Sequence, residues 1–277
     1  MGRSREEGCI ASLKRIFCNE MLLNTHTWLL KEYAGARLCT DNLDILIYNV
    51  MPDILPIHRD ITPEMTHRIE RFAAVAPEHR KARFIQFHLL VDDLSHHGHI
   101  TRRGHDRFEN ASAGYAYRKG AALAQGMTEL HGGKIPVEEA QYRSHLLIEM
   151  AVDLVVYGRY PEIVELFSQA VEWTLENRLE SLVGTLVWSY SLPEALVRDA
   201  VVQGMAAYRN EILRRSVSLE GRTDLFLHKF YGGVAGEKVR SGIRDLLQRG
   251  IESVADMEEF LSATLQEIAK AGFDGDL

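Results

Sequence analysis

The strongest constraint on this chain is its apolar periodicity, which is helical almost from end to end. Trp28, Leu29, Leu30 and Tyr33 recur at helical spacing behind Asn24, and Leu43, Ile45, Leu46 and Tyr48 do so behind Asp41. Both polar residues can cap a first turn, and Pro52 and Pro56 are expected to terminate the second helix. Thr62-Pro63 is a cap followed by a first-turn proline, opening a helix expected to hold His67, Ile69 and Phe72. The spacing predicts a long helix over about 80–96 that Gly98 ends. Further helices are expected over 111–130, ending near Gly132-Gly133, and from Pro136 through His145, Glu149 and Asp153 toward Gly158. After Pro161 the pattern restarts at Pro193 and near Ser218, Ala235 and Ser253. Alternating β-branched runs bounded by turns are absent, so the expected fold is all-α, a multi-helix domain.

The chain divides by content rather than by a linker. Residues 1–20 read as an amino-terminal extension in which a capping box at Ser4 to Glu7 opens a short helix. Residues 21–160 read as a helical core, and 161–277 as a second helical half packed on it, with no site predicted there. The extension has no signal-peptide core, and three cysteines (Cys9, Cys18 and Cys39) suit a reducing compartment, which together predict a cytoplasmic protein. No stretch approaches the ~18 to 20 apolar residues of a membrane span. Lys plus Arg at 32 against Asp plus Glu at 39 gives −7, which argues against a stable complex with nucleic acid.

Histidine breaks this uniformity. Of 12 histidines, ten fall between His58 and His145, where random placement would put roughly four. Such clustering points to metal ligation, pH sensing or proton transfer, and it locates function in the first 160 residues. His88, Asp92 and His96 sit at i, i+4 and i+8, one stripe on a helix, and His145, Glu149 and Asp153 repeat the spacing. Across eight residues the outer pair of a stripe is about 12 Å apart, too far to share one ion easily. The stripes therefore suggest one metal near each end with Asp92 between them, helped by His26, Asp53 and His67 upstream. Imidazole and carboxylate donors without thiolate suit zinc, with iron, nickel or manganese as alternatives.

In order along the chain, His26, Asp53, His67, His88 with Asp92, His96, and His145 with Glu149 resemble the zinc-dependent phospholipase C family and its relatives, the single-strand-specific zinc nucleases. The stretch HLLVDDLSH is similar to the His-x-x-x-Asp-x-x-x-His segment of bacterial, non-secreted members. The resemblance covers about residues 21–157. It implies a helical cluster of two or three zinc ions that hydrolyses phosphoester bonds. It also implies that Asp53, His67, His88 and Asp92 hold one ion and that His96, His145 and Glu149 hold a second. His26, with bridging Asp92, would contribute to a third. Secreted members complete that third site with an amino-terminal tryptophan freed by processing; here residues precede His26.

The chemistry expected is metal-assisted hydrolysis, in which the pKa of a coordinated water falls toward about 7. Asp53 is the candidate catalytic carboxylate that orients or deprotonates the water. The substrate would be a small phosphoester or a phospholipid. Two other readings are an inactive metal-stabilised binding protein and a helical phosphohydrolase of the His-Asp type, for which the adjacent pair would be His105-Asp106. Asp153 reads as a support that holds His145 or a neighbouring helix. His97 and His99 are alternatives to His96, His58 could line the site, and Arg102, Arg103 and Arg107 could grip a phosphate. Tyr115, Tyr117 and Trp28 are assigned no role.

Overall fold

The protein is described from a computed structural model, which covers residues 23–101 and 113–275. The expected capping box near Ser4, the His105-Asp106 pair and Arg102, Arg103 and Arg107 lie outside the described residues. Thirteen α-helices and no strand appear among the described residues, so the fold is all-α. In chain order they are α1 (Leu23–Ala34), α2 (Asp44–Ile54), α3 (Pro63–His67), α4 (Arg83–His97), α5 (Tyr115–Leu130), α6 (Val137–Arg159) and α7 (Glu162–Asn177). There follow α8 (Leu179–Tyr190), α9 (Glu194–Ala207), α10 (Leu213–Ser216), α11 (Leu219–Tyr231), α12 (Glu237–Ser253) and α13 (Met257–Lys270). No described helix is long and apolar enough to cross a membrane.

Four helices are buried on all sides rather than along one stripe. In α4 every residue from Phe84 to His96 is buried, and the same holds for α1 from Leu23 to Leu30, most of α2, and α6 from Ser144 to Asp153. A helix can be sunk this way only if its polar residues find partners inside, because an unpaired buried charge is expelled or neutralised. His88, Asp92 and His96 of α4 must therefore meet partners from the neighbouring helices, and they do: Asp53 of α2, His26 of α1 and Glu149 of α6. Helices α7 to α13 wrap this centre: α7 packs on α1 and α2, α12 on α5 and α6, and α13 on α4. One hydrophobic core runs through both halves of the chain.

Several boundaries follow the local signals. Thr62 caps α3, Ser218 accepts from the Gly221 amide to open α11, and Gly98 ends α4 in the left-handed region at φ 74°. Others do not. Asn24 lies inside α1, where its amide donates to the Asp153 carboxylate instead of being capped locally. Asp41 belongs to a short 3-10 turn, and α2 begins at Asp44. There the Asn42 side chain binds both the Cys39 amide and the Arg37 carbonyl and bends the chain before the helix starts. Pro52 sits within α2, which continues to Ile54 because the whole helix is packed in the core. Helix α3 stops at His67, leaving Ile69 and Phe72 outside it. The Arg71 guanidinium donates to the carbonyls of His67 and Ile69 and so replaces the amides a continuing helix would have used.

Candidate metal centre

All eight residues singled out as ligands come together, in two groups. Donor atoms of His26, Asp53 and His88, and of His67, His88 and Asp92, lie within 4.8 Å of one another, so these five residues form one continuous group. His96, His145 and Glu149 form the other, within the same distance. His26 Nε2 also lies 3.3 Å from an Asp92 oxygen, so the pairing of His26 with Asp92 falls inside this same group.

The first group takes one residue from α1 (His26), one from α2 (Asp53), one from the end of α3 (His67) and two from α4 (His88, Asp92). Asp92 lies at its centre, with one oxygen 3.3 Å from His26 Nε2 and the other 3.3 Å from His88 Nε2 and 3.5 Å from His67 Nε2. Asp53 Oδ1 is 3.4 Å from His67 Nε2 and 3.8 Å from His88 Nε2. These separations exceed the usual N–H···O range of about 2.7–3.2 Å. They match the edge of a tetrahedron instead: donors about 2.0–2.2 Å from a shared ion lie roughly 3.4 Å apart. The His26 and His88 rings stack at 3.9 Å with 17° between their planes, and no ring nitrogen of either makes a hydrogen bond. Both rings are buried, at 1% and 0% exposure, where unmade hydrogen bonds are costly. The donor set fits a divalent cation.

Supports fix how these donors point. His67 Nδ1 faces the Pro63 carbonyl at 2.9 Å, an acceptor only, so Nδ1 carries the proton and Nε2 presents its lone pair inward. Thr66 donates to the Pro52 carbonyl at 2.8 Å and ties α3 to the turn that carries Asp53. Asn49 donates to the His26 carbonyl at 2.9 Å and joins α2 to α1. Arg71 makes a bidentate pair with Asp93 at 3.2 and 2.8 Å and also holds the His67 carbonyl at 2.7 Å. Asp93 then accepts from the amide and hydroxyl of Thr101. A guanidinium at 3% exposure and a carboxylate at 2% thus connect a ligand-bearing segment to α4.

In the second group His96 Nε2 donates to Glu149 Oε1, and the His145 ring meets that of His96 edge-on at 5.5 Å. His96, rather than His97 or His99, is the imidazole brought to Glu149. Tyr117 stacks flat on His145 at 4.2 Å and 11°, and Tyr142 lies 5.1 Å away, tilted. The approach of α5 that allows this depends on Gly120: a Cβ there would lie 2.8 Å from the His145 amide nitrogen.

Burial and charge set the protonation of the rings. Burial, with the charge at His26, pushes His88 below the ordinary imidazole value, and burial with the charge at His96 pushes His145 well below it. Both are neutral imidazoles, the form that binds metal. Burial opposes a charge on His67 and His96 too, but carboxylates prevail. Asp53 and Asp92 raise His67, and Glu149 lifts His96 to about 9. Asp92 would be raised by burial, yet His88 and His26 hold its carboxyl well below the usual carboxylate range.

The remaining candidates sit elsewhere. His58 pairs with Asp199 at 3.1 Å and accepts from the Asp60 amide, apart from both groups. Asp153 does not hold His145. Its oxygens accept from the amides of Asn24 and Thr25 at 3.1 and 2.8 Å, from the Thr25 hydroxyl at 2.7 Å, and from Arg222 of α11. It thereby caps α1, the helix of His26, from α6, the helix of His145 and Glu149. Sequence reasoning missed Arg71, Asp93 and Arg222, whose partners lie far along the chain. It also gave no role to Tyr117, for which spacing carries no signal.

The fold and the site define a class: an all-α protein in which two neighbouring groups of imidazoles and carboxylates are sunk between four buried helices. Comparison with family models, curated protein sequences and solved structures found no match.

Proposed function

We propose that the protein is a metal-dependent phosphoric ester hydrolase, a phosphodiesterase of the phospholipase C type. The observation that carries this reading is the spacing around Asp92: three imidazole nitrogens lie 3.3–3.5 Å from its two oxygens, longer than the usual N–H···O separation and close to the edge of a shared coordination shell. His26, Asp53, His67, His88 and Asp92 would hold one or two ions, and His96, His145 and Glu149 another. Zinc suits the donors best, with iron, nickel or manganese as alternatives. Bound there, such ions supply Lewis acidity toward phosphoryl oxygens and acidify water. The residues of the chain do the rest. Asp53 engages the two nearby imidazoles through Oδ1, which leaves Oδ2 to orient an attacking water and accept its proton. The Pro63 carbonyl and the Arg71–Asp93 pair keep His67 aimed, so that little reorganisation accompanies the reaction.

The substrate is a small phosphoester or a phospholipid. The net charge of −7 argues against long nucleic acids, and the cysteine usage favours the cytoplasm. The purified protein is expected to carry two or three divalent ions per chain by elemental analysis and to turn over bis(p-nitrophenyl) phosphate. A chelator should abolish turnover and added zinc or manganese should restore it. Metal uptake without turnover would leave a metal-stabilised binding protein, and turnover indifferent to chelator would refute the mechanism.

A further inference from the structure

Helix α5 supplies none of the eight proposed donors, yet it presses on the backbone of two of them. It is entered at Gly114, whose amide donates to the His96 carbonyl at 2.9 Å. A Cβ on Gly114 would collide with the backbone of Ser95 and His96, so only glycine allows that approach. Six residues on, a Cβ on Gly120 would lie 2.9 Å from the His145 Cα. Two glycines therefore seat α5 against the segments that carry His96, on α4, and His145, on α6. Tyr117 stands midway, three residues from each, a spacing that puts it on the helix face of Gly120.

The ring of Tyr117 uses that position. It lies flat on His145, with centroids 4.2 Å apart and planes 11° from parallel, and it meets His96 edge-on at 6.4 Å. The His96 and His145 rings meet at 5.5 Å and 90°. These three separations make a near right angle at His145, so Tyr117 covers a face of that imidazole while His96 lies off its edge. The edge is where an imidazole nitrogen presents its lone pair. Tyr142, three residues before His145 on α6, lies 5.1 Å from it, tilted, and is itself met edge-on by Phe230 of α11 at 6.1 Å. An imidazole binds an ion in its own ring plane, and the torsion that turns the plane is the loose one in histidine. In the first group the flat stack of His26 on His88, at 3.9 Å and 17°, restrains that torsion with a second donor ring. In the second group the stacking partner is a tyrosine.

We infer that Tyr117 is the positioning residue of the second group: its ring fixes the plane of His145, so that this imidazole converges with His96 and Glu149 on one divalent ion. It strengthens binding there by arresting in advance a rotation that the ion would otherwise have to arrest. The inference rests on the metal-binding part of the hydrolase reading and is independent of turnover. It gives α5, a helix without a donor, a part in the centre.

Tyr117→Phe keeps the flat ring, whereas Tyr117→Leu and Tyr117→Gln remove it and still favour a helix. Each metal-free protein is titrated with cobalt(II), whose visible absorption reports the geometry of its ligands. The titration is repeated with Glu149→Gln added, which disables the second group. In Tyr117→Phe the affinity and the spectrum of the second group are expected to equal those of the wild type. Tyr117→Leu and Tyr117→Gln should bind that ion about 3- to 10-fold more weakly, with an altered spectrum and the first group unchanged. With Glu149→Gln present, removing the ring should change neither. Wild-type affinity in Tyr117→Leu and Tyr117→Gln overturns the inference. So does an equal weakening in Tyr117→Phe, which assigns the effect to the hydroxyl, and so does a weakening that persists with Glu149→Gln, which assigns it to packing. The expected titrations from a protein without phosphodiester turnover retire the hydrolase reading alone. Turnover with unchanged cobalt affinity in the ringless variants retires the inference alone. A wild type that takes up no cobalt retires both.

Discussion

Replacing Arg222 with methionine tests whether the second half of the chain holds the centre together. Arg222 is 1% exposed, its Nε donates to the Ser216 carbonyl at 2.9 Å, and its Nη2 donates to Asp153, itself fully buried. Removing one partner of a buried ion pair costs about 3–5 kcal/mol, because the other charge is left behind. The remaining carboxylate still accepts from two amides and a hydroxyl of α1, so the loss should lie near the lower end, about 3 kcal/mol. Asp153→Ala is worse. It strands the guanidinium and also uncaps α1, whose two freed amides add about 1–3 kcal/mol, for a total of about 5 kcal/mol. The double variant Asp153→Ala/Arg222→Met removes both charges and should cost at least 2 kcal/mol less than the sum of the single losses. Urea denaturation of the metal-free proteins followed by tryptophan fluorescence gives these values, provided the m-value is unchanged. Chelator keeps metal binding from shifting the equilibrium. Single losses below 1 kcal/mol, or losses that simply add, would refute the view that Asp153 and Arg222 together join α1 and α11 to α6.

Asp92→Asn is expected to lose metal from the first group while keeping the ion of the second, and Glu149→Gln to do the opposite; elemental analysis of both separates the groups, and equal losses would contradict the division. Gly120→Ala places a Cβ 2.8 Å from the His145 amide nitrogen, which should cost about 2 kcal/mol and lower the melting temperature by about 4–8 °C, read by calorimetry. Loading the second group at pH 7 should release about one proton, because His96, raised to about 9 by Glu149, must give up its proton to bind an ion. The metal-free form holds that proton until the pH passes about 9, so affinity at this group should climb with pH up to that point and level off above it. Titrations in buffers of different ionisation enthalpy count the proton, and a pH-independent affinity would contradict the assignment.

Which features were readable follows from how far each controlling interaction reaches along the chain. Thr62, Gly98, Pro136, Pro193 and Ser218 mark helix ends by local chemistry, so spacing alone placed them. Asn24 misled because the group that satisfies the first turn of α1 is Asp153, 129 residues away. The end of α3 was hidden for the same reason on a smaller scale. Arg71 claims the carbonyls of His67 and Ile69, and its side chain stays put only because Asp93, 22 residues on, holds it.

The candidate site divides along the same line. Donor residues can be sought by type and spacing: His88 and Asp92 lie one turn apart, as do His145 and Glu149, and both pairs meet in the structure. The groups that aim them can be almost any polar residue, chosen by where the folded chain happens to pass. Arg71, Asp93 and Arg222 share no spacing with the donors. A buried cluster of three imidazoles and two carboxylates cannot be held by its own donors alone, since each ring needs its outer nitrogen or its backbone fixed to keep one lone pair inward. Helices without a single donor therefore surround it, and their sequence reads as plain packing until the contacts are seen.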